Sequence, residues 1–303
     1  MILLTGASGF IGSHLLERAG ERFRFRCLVR PRSSQKIKTN GSVEIIEGNL
    51  LSESSVKKAM EGVDTIVHLA ALIRMSEPDE IHRVNVEGTR LLISEASKQG
   101  VSRFIFVSTE NALREDLHDA YAESKRQAEA LVRTFKNFLI LRPCFVYGRG
   151  DDHGLGRLIE LAKKSPVMPL FGGLTSKIQP LYIDDMTEYL VRALEDPLRG
   201  EYLLAGPDKI SLNDFLKQAC LIRGKKRLLW TVPYPLFKFA ALVCDKLPRS
   251  IGWGTNQLNN IYKSRTYSIE NTVRDFGVVP RSVGEGLSQW LGTDKSLKKT
   301  VSK

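Results

Sequence analysis

Apolar residues recur along the first half of the chain in short runs, separated by longer segments whose apolar positions follow a helical repeat. Ile2–Thr5, Arg24–Arg30, Val43–Glu47, Thr65–Leu69, Phe104–Ser108 and Phe138–Arg142 predict six strands. Between them, Ile11–Ala19, Ser52–Met60, Ile81–Gln99 and Tyr121–Phe135 predict helices. Strands alternating with helices imply parallel β-α-β units, hence an α/β, doubly wound parallel sheet. Ile66-Val67 and Ile105-Phe106-Val107 lack polar alternation, as expected of strands covered on both faces.

After Gly148 the pattern changes, with glycine and proline concentrated in Gly150–Gly156 and Pro166–Pro180. Asp185 followed by Glu188 reads as a capping box opening a helix through Leu194. Glu201–Leu204 reads as a strand returning to the sheet. The expected organisation is a large domain over residues 1–150, with a returning segment at about 180–206. A smaller mixed α/β lobe comes from 151–179 and 207–303 and ends in a basic tail carrying Lys295, Lys298, Lys299 and Lys303.

Composition narrows the class. With 42% hydrophobic and 26% charged residues in 303, the chain is an ordinary globular protein. Strand-like sequence begins at once, which leaves no room for a signal peptide. No apolar run reaches the roughly 18 residues of a membrane span, and Lys238 interrupts the best candidate. Cys27, Cys144, Cys220 and Cys244 are far apart and read as thiols rather than disulfides or metal ligands. The expectation is a cytoplasmic protein without a metal site. The net charge of +11 fits a solvated basic surface, an anionic cofactor or substrate, or acidic lipid. Nucleic acid is not expected, since the cations are scattered and no stripe of them is interleaved with aromatics.

Three motifs carry chemistry. Thr5-Gly6-Ala7-Ser8-Gly9-Phe10-Ile11-Gly12 lies between the first strand and first helix, where glycines let backbone approach a pyrophosphate at a helix N-terminus. Arg30, with Arg32 and Ser33 behind it, ends the second strand, where an acidic residue would select NAD; arginine suits the 2′-phosphate of NADP. NADP is therefore preferred over NAD. Tyr121 and Lys125 stand four residues apart on one helix face, so the ammonium favours the phenolate and the tyrosine acts as general acid–base. Ser108-Thr109, at the end of the fifth strand, offers a hydroxyl for the substrate oxygen.

These residues resemble the extended short-chain dehydrogenase/reductases of the NAD-dependent epimerase/dehydratase family. The resemblance also rests on Glu47-Gly48-Asn49-Leu50, Val67-His68-Leu69-Ala70-Ala71, Asn85-Val86-Glu87-Gly88-Thr89, Leu141-Arg142-Pro143, Val146-Tyr147-Gly148 and Tyr182-Ile183-Asp184-Asp185. It implies a Rossmann domain with a small substrate lobe. By matching position it implies Thr109, Tyr121 and Lys125 as the catalytic set, with Ser108 as the fallback for Thr109. Gly6, Ser8, Gly9, Phe10, Ile11, Arg30, Asn49, Leu50, Leu69, Ala70, Ala71, Tyr121, Lys125 and Pro143 would hold the cofactor. Asn49 replaces a more usual Asp beside the adenine. His68 reads as a packing or backbone-bonding residue and Asp185 as a helix cap.

Departures from the family pattern narrow the reaction. The stretch between Thr109 and Tyr121 is short, Leu113 replaces a common aromatic, and Asn111 stands where dehydratases carry a glutamate base. A 4,6-dehydratase is disfavoured, since an amide is no base and Glu110 would point to the opposite strand face. The resemblance implies epimerisation at a carbon, C4 foremost, of a nucleotide-linked sugar, in a homodimer. The alternative is NADP-dependent reduction or oxidation of a ketone, sterol-like or lipid-linked alcohol. A non-catalytic cofactor-bearing subunit ranks last because Tyr121 and Lys125 are both kept. Pro233–Leu242 reads as a core helix of the small lobe. It also resembles segments of branches acting on lipid-linked sugars or sterols, so peripheral membrane contact is the other reading.

Overall fold

The computed structural model describes residues 1–37, 43–73, 76–117, 119–152, 154–156, 158–159, 167–222, 228–245 and 254–292. The basic tail lies outside them. Seven parallel strands form the central sheet: β1 (Ile2–Thr5), β2 (Phe25–Val29), β3 (Val43–Glu47), β4 (Thr65–His68), β5 (Arg103–Val107), β6 (Phe138–Pro143) and β7 (Gly200–Leu204). Their order is β7-β6-β5-β4-β1-β2-β3. The chain starts in the middle and winds outward through β3, then resumes on the other side of β1 with β4. The carboxyl ends of β1 and β4 therefore flank the crevice where the winding reverses, the place at which doubly wound sheets bind ligands.

The helices are α1 (Phe10–Ala19), α2 (Glu53–Met60), α3 (Pro78–His82), α4 (Gly88–Lys98) and α5 (Ala120–Val132), followed by α6 (Ile183–Glu195). One layer of the core joins Leu3, Ile66, Phe104, Phe106 and Ile140 of the strands to Val56, Met60, Leu92, Ala96, Ala128 and Val132 of α2, α4 and α5. Each such fully buried Leu, Ile or Phe contributes roughly 1.5–3 kcal/mol.

Two expectations are corrected. The single helix over Ile81–Gln99 begins earlier, at Pro78, and is interrupted by a π-helical turn, Arg83–Glu87. Proline at the first helical position costs no hydrogen bond, and a single π turn is too short to be told from α by its apolar spacing. Asp185 does not cap α6, which starts at Ile183; its carboxylate accepts from the backbone and guanidinium of Arg281.

The chain divides into two units. One comprises Met1–Pro143 and Met186–Leu204, the other Cys144–Asp185 and Ala205–Lys303. These bounds differ from the expected ones by a few residues because Val146–Tyr147 leaves the sheet and pairs with Leu181–Tyr182. In the second unit, Val167–Phe171 pairs with Leu228–Val232 and Lys177–Ile178 with Ile210–Ser211. Its helices are α7 (Leu212–Ile222), α8 (Tyr234–Cys244), α9 (Thr255–Ile261), α10 (Glu270–Phe276) and α11 (Val283–Gly292). Tyr147 is wholly buried there against Phe215 and Tyr182. Gly286 is obligatory beside it, since a Cβ would stand 2.2 Å from the Tyr147 hydroxyl.

Candidate functional site

The site residues lie along the carboxyl edge of the first unit's sheet. Gly6 adopts φ +77°, and a Cβ there would meet the Ala70 nitrogen at 2.7 Å. The β1 turn thus lies directly against the end of β4. A Cβ on Gly12 would stand 2.3 Å from the Gly6 carbonyl, so glycine also sets how closely α1 packs on its loop. Gly9 is exposed, and no side chain caps α1. The first-turn amides of α1 therefore suit an anionic group, and the loop fits a dinucleotide pyrophosphate.

Ser8, Phe10, Ile11, Leu69, Ala70 and Ala71 are all half-buried around that turn. Arg30 is exposed just after β2, where its carbonyl accepts from Ser33 N (2.7 Å) and starts a 3-10 turn, Pro31–Lys36. Asn49 Oδ1 closes a turn on Leu51 N at 3.0 Å, spending one of its two lone pairs. Leu50 packs against the core and within contact distance of Gly88, so part of its surface is structural. Pro143 is buried at the end of β6, three strands from β1.

A chain of buried polar groups ties these parts together. Ala70 N donates to Thr5 Oγ1 (3.3 Å), which meets His68 Nδ1 at 2.6 Å. His68 Nε2 meets Thr89 Oγ1 at 2.9 Å, and Thr89 donates to the Asn85 carbonyl at 2.6 Å. Because the Thr89 proton is committed to Asn85, Nε2 of His68 must carry the ring proton and Nδ1 must accept from Thr5. Burial, with the Lys125 charge adding to it, pushes His68 down to about 3, so the ring stays neutral. Asn85 continues the chain by bonding both backbone groups of Leu72 and the Ser124 hydroxyl, which donates to the Tyr121 carbonyl. His68 therefore bonds two side chains rather than backbone.

Tyr121 and Lys125 stand on α5, whose start is capped by Asp119 accepting from Ala122 N at 2.7 Å. Tyr121 is half-buried. Lys125 is buried, donates to the Val107 carbonyl at 2.8 Å and lies 4.5 Å from the centre of the Phe106 ring. Burial lowers it to about 7, with Glu129 pulling the other way. Glu129 is itself buried, gripped by Arg142 at 2.6 and 2.8 Å.

Thr109 is buried at the end of β5 and accepts from Asn111 N at 3.3 Å, so its hydroxyl proton remains to be given. Ser108, the fallback, has a buried hydroxyl without a partner. Glu110 and Asn111 are both buried in a 3-10 turn, Glu110–Leu113, rather than on extended strand. This corrects the strand-alternation argument: successive side chains leave such a turn about 120° apart, not on opposite faces. The case against a dehydratase therefore rests on the chemistry of the Asn111 amide alone.

Asn85, Thr89, Thr5, Ser124 and Glu129 were not singled out as functional from sequence. The signal that marks them is a polar residue where the strand or helix pattern calls for an apolar one. No group of three His, Cys, Asp or Glu fit to hold a metal occurs among the described residues. No described helix is long and apolar enough to cross a membrane.

The chain is similar to known proteins over most of its length. A ceramide reductase of Caulobacter vibrioides is 32% identical over 249 residues, covering 81% of this chain and 77% of its own. An N-acetyl-alpha-D-glucosaminyl-diphospho-ditrans,octacis-undecaprenol 4-epimerase of Escherichia coli O157:H7 is 27% identical, covering 83% and 81%. A UDP-glucose 4-epimerase of Thermotoga maritima, solved with UDP-glucose, shares the fold at a TM-score of 0.76, with 21% identity over 97% of this chain and 98% of that one. The family model for the NAD dependent epimerase/dehydratase family matches residues 2–205. The chain is an enzyme of the extended short-chain dehydrogenase/reductase type and belongs to the NAD dependent epimerase/dehydratase family.

Proposed function

We propose that the protein is an NADP-dependent reductase or dehydrogenase acting on the carbonyl or alcohol of a lipid-like substrate, with Thr109, Tyr121 and Lys125 as its catalytic set. The observation that carries this reading is Arg30, exposed just after β2 where an arginine suits a 2′-phosphate, with no carboxylate at the end of β2. An enzyme that must exchange its cofactor each turnover gains from choosing the reduced NADPH pool. The ceramide reductase relative supports a lipid substrate. Nicotinamide, when bound, supplies or accepts the hydride at the substrate carbon.

The protein's own groups handle the oxygen. Thr109 donates to the substrate carbonyl oxygen, which can only accept, while one Thr109 lone pair takes Asn111 N. Tyr121 gives that oxygen its proton in reduction and takes it back in oxidation. Lys125 spends one proton on Val107 and keeps two for the cofactor ribose and the phenolate. Its ammonium favours the phenolate form of Tyr121. Gly6, Ser8, Gly9, Phe10, Ile11, Asn49, Leu50, Leu69, Ala70, Ala71 and Pro143 are assigned to cofactor binding, and the enzyme is assigned to the cytoplasm as a homodimer.

A second reading is C4 epimerisation of a nucleotide-linked or lipid-linked sugar, favoured by the undecaprenol-linked epimerase relative. The two differ in cofactor balance. The test incubates purified protein and NADPH with a long-chain lipid ketone in mixed micelles. Consumption of NADPH with formation of the alcohol, lost about 10²–10⁴-fold in Tyr121→Phe, is expected. A cofactor that co-purifies unconsumed, together with turnover of sugar substrates to stereoisomers, would overturn the first reading for the second.

A further inference from the structure

We propose that α8 and the Leu228–Val232 strand form a docking surface for an anionic lipid bilayer. Within the second unit, α8 is apolar on two faces rather than one. One face is anchored: Phe237 stacks on Phe171 with ring centres 4.5 Å apart, Tyr234 meets Tyr262 edge-on at 4.9 Å, and Ala241 is fully buried. Three and four residues apart on the other face, Leu236, Phe239, Leu242 and Val243 are 55%, 68%, 49% and 45% exposed. The strand that directly precedes it in the chain adds Leu228 and Trp230, exposed by 67% and 57%. A soluble surface helix carries charges on its outer face; α8 carries Lys238 alone. Six large apolar side chains exposed within one short stretch of the chain mark an interaction surface.

The composition of the sequence on either side of these exposed residues selects their occupant. In sequence, residues 223–249 contain seven Lys or Arg and one acid, Asp245. That is +6 of the chain's +11, leaving +5 for the other 276 residues. A self-complementary dimer through this face would bring two such segments together, like charge against like. A bilayer with anionic headgroups offers the complement: opposite charge at headgroup level and hydrocarbon beneath it. Exposed Phe and Leu enter the acyl boundary, Trp230 suits the interface, and each cation near an anionic surface raises partitioning about fivefold. The exposed face of α8 is two helical turns long, so it lies on the membrane rather than spanning it. The surface stands whichever substrate the catalytic set takes.

Flotation of the full-length protein with phosphatidylcholine vesicles, with and without phosphatidylglycerol, tests the surface. The protein is expected to float with the anionic vesicles. The double variant Phe239→Asp, Leu242→Asp should lose about tenfold or more of that binding while keeping its circular dichroism and NADPH affinity. A direct readout on the unmutated protein uses lipids brominated on their acyl chains. They should quench tryptophan fluorescence, and Trp230→Phe should remove most of the quenching. No binding to anionic vesicles, binding unchanged in the double variant, or absence of quenching each overturns the proposal. So does a dimer in light scattering that the double variant converts to monomer, which would assign the face to a second copy.

Discussion

The wiring of His68 makes a quantitative prediction through Thr89. Thr89→Val keeps the shape of the side chain but removes the oxygen that accepts from His68 Nε2. His68 is fully buried, so its ring N–H would be left without an acceptor. An unsatisfied buried donor costs about 1–3 kcal/mol. The Asn85 carbonyl also loses a bond, but it lies in a helical run and keeps backbone donors nearby, so that loss adds little. For a unit of this size the expected fall in melting temperature is about 2–10 °C. Thermal unfolding followed by circular dichroism measures it. NADPH titration should also show weaker binding, because His68 holds Thr5 and, through it, Ala70 at the cofactor turn. Thr89→Ser, which restores the oxygen, should recover most of both. A shift under about 1 °C in Thr89→Val would refute the assigned proton directions, since a buried donor that loses its acceptor cannot cost so little.

Other outcomes follow from the same contacts. Gly12→Ala should abolish cofactor binding or folding, because its Cβ would stand 2.3 Å from the Gly6 carbonyl; normal NADPH titration by that variant would contradict the packing. Arg30→Ala should weaken NADPH binding by about 1.5–3 kcal/mol and leave NADH nearly unchanged, as isothermal titration would show. Lys125 sits at about 7 when folded and 10.5 otherwise, so between those values the unfolded chain binds more protons and stability rises with pH. Lys125→Met should erase that rise and abolish turnover; denaturant melts across the window decide it. Acid works the other way on His68: between 6.5 and about 3 the unfolded ring takes a proton that the folded one refuses, so stability falls as pH falls.

The sheet was legible because buried parallel strands announce themselves as apolar runs. Ile2–Thr5 and Val43–Glu47 match the expected bounds, and the other four strands of the first half differ by a residue or two. The returning strand was legible for the same reason, with Glu201–Leu204 read against Gly200–Leu204. Local hydrogen-bond chemistry was not. The π turn at Arg83–Glu87 is one turn long, too short to leave a repeat of its own in the sequence, so nothing in the pattern separates α3 from α4. The turn after β5 read as extended because Thr109, Glu110 and Asn111 follow an apolar run directly. The Thr5–His68–Thr89–Asn85 chain joins residues 63 and 21 apart in sequence, and such pairings belong to the tertiary fold rather than to any local signal.

The returning strand does more than complete the sheet. Glu201 on β7 reaches Arg142 at the end of β6 and Arg133 just past α5, while Glu129 on α5 grips both arginines. Hydrogen bonds from Arg133 and Arg142 hold Glu201 down at about 2, so Glu201 stays ionised across the working range. Two carboxylates and two guanidiniums thereby fasten the helix that carries Tyr121 and Lys125 to the strand that follows the lobe. Arg142 is buried, and removing one partner of a buried pair is costly because it leaves a charge uncompensated. Each partner thus depends on the other three being present. These contacts seat α5, which carries the proposed catalytic pair, against β7, so Glu201→Gln should loosen α5 although Glu201 is not among the residues proposed to bind cofactor or substrate. Hydrogen exchange of the α5 amides reads this directly. Protection unchanged from the unmutated protein would show that β7 completes the sheet without holding the site.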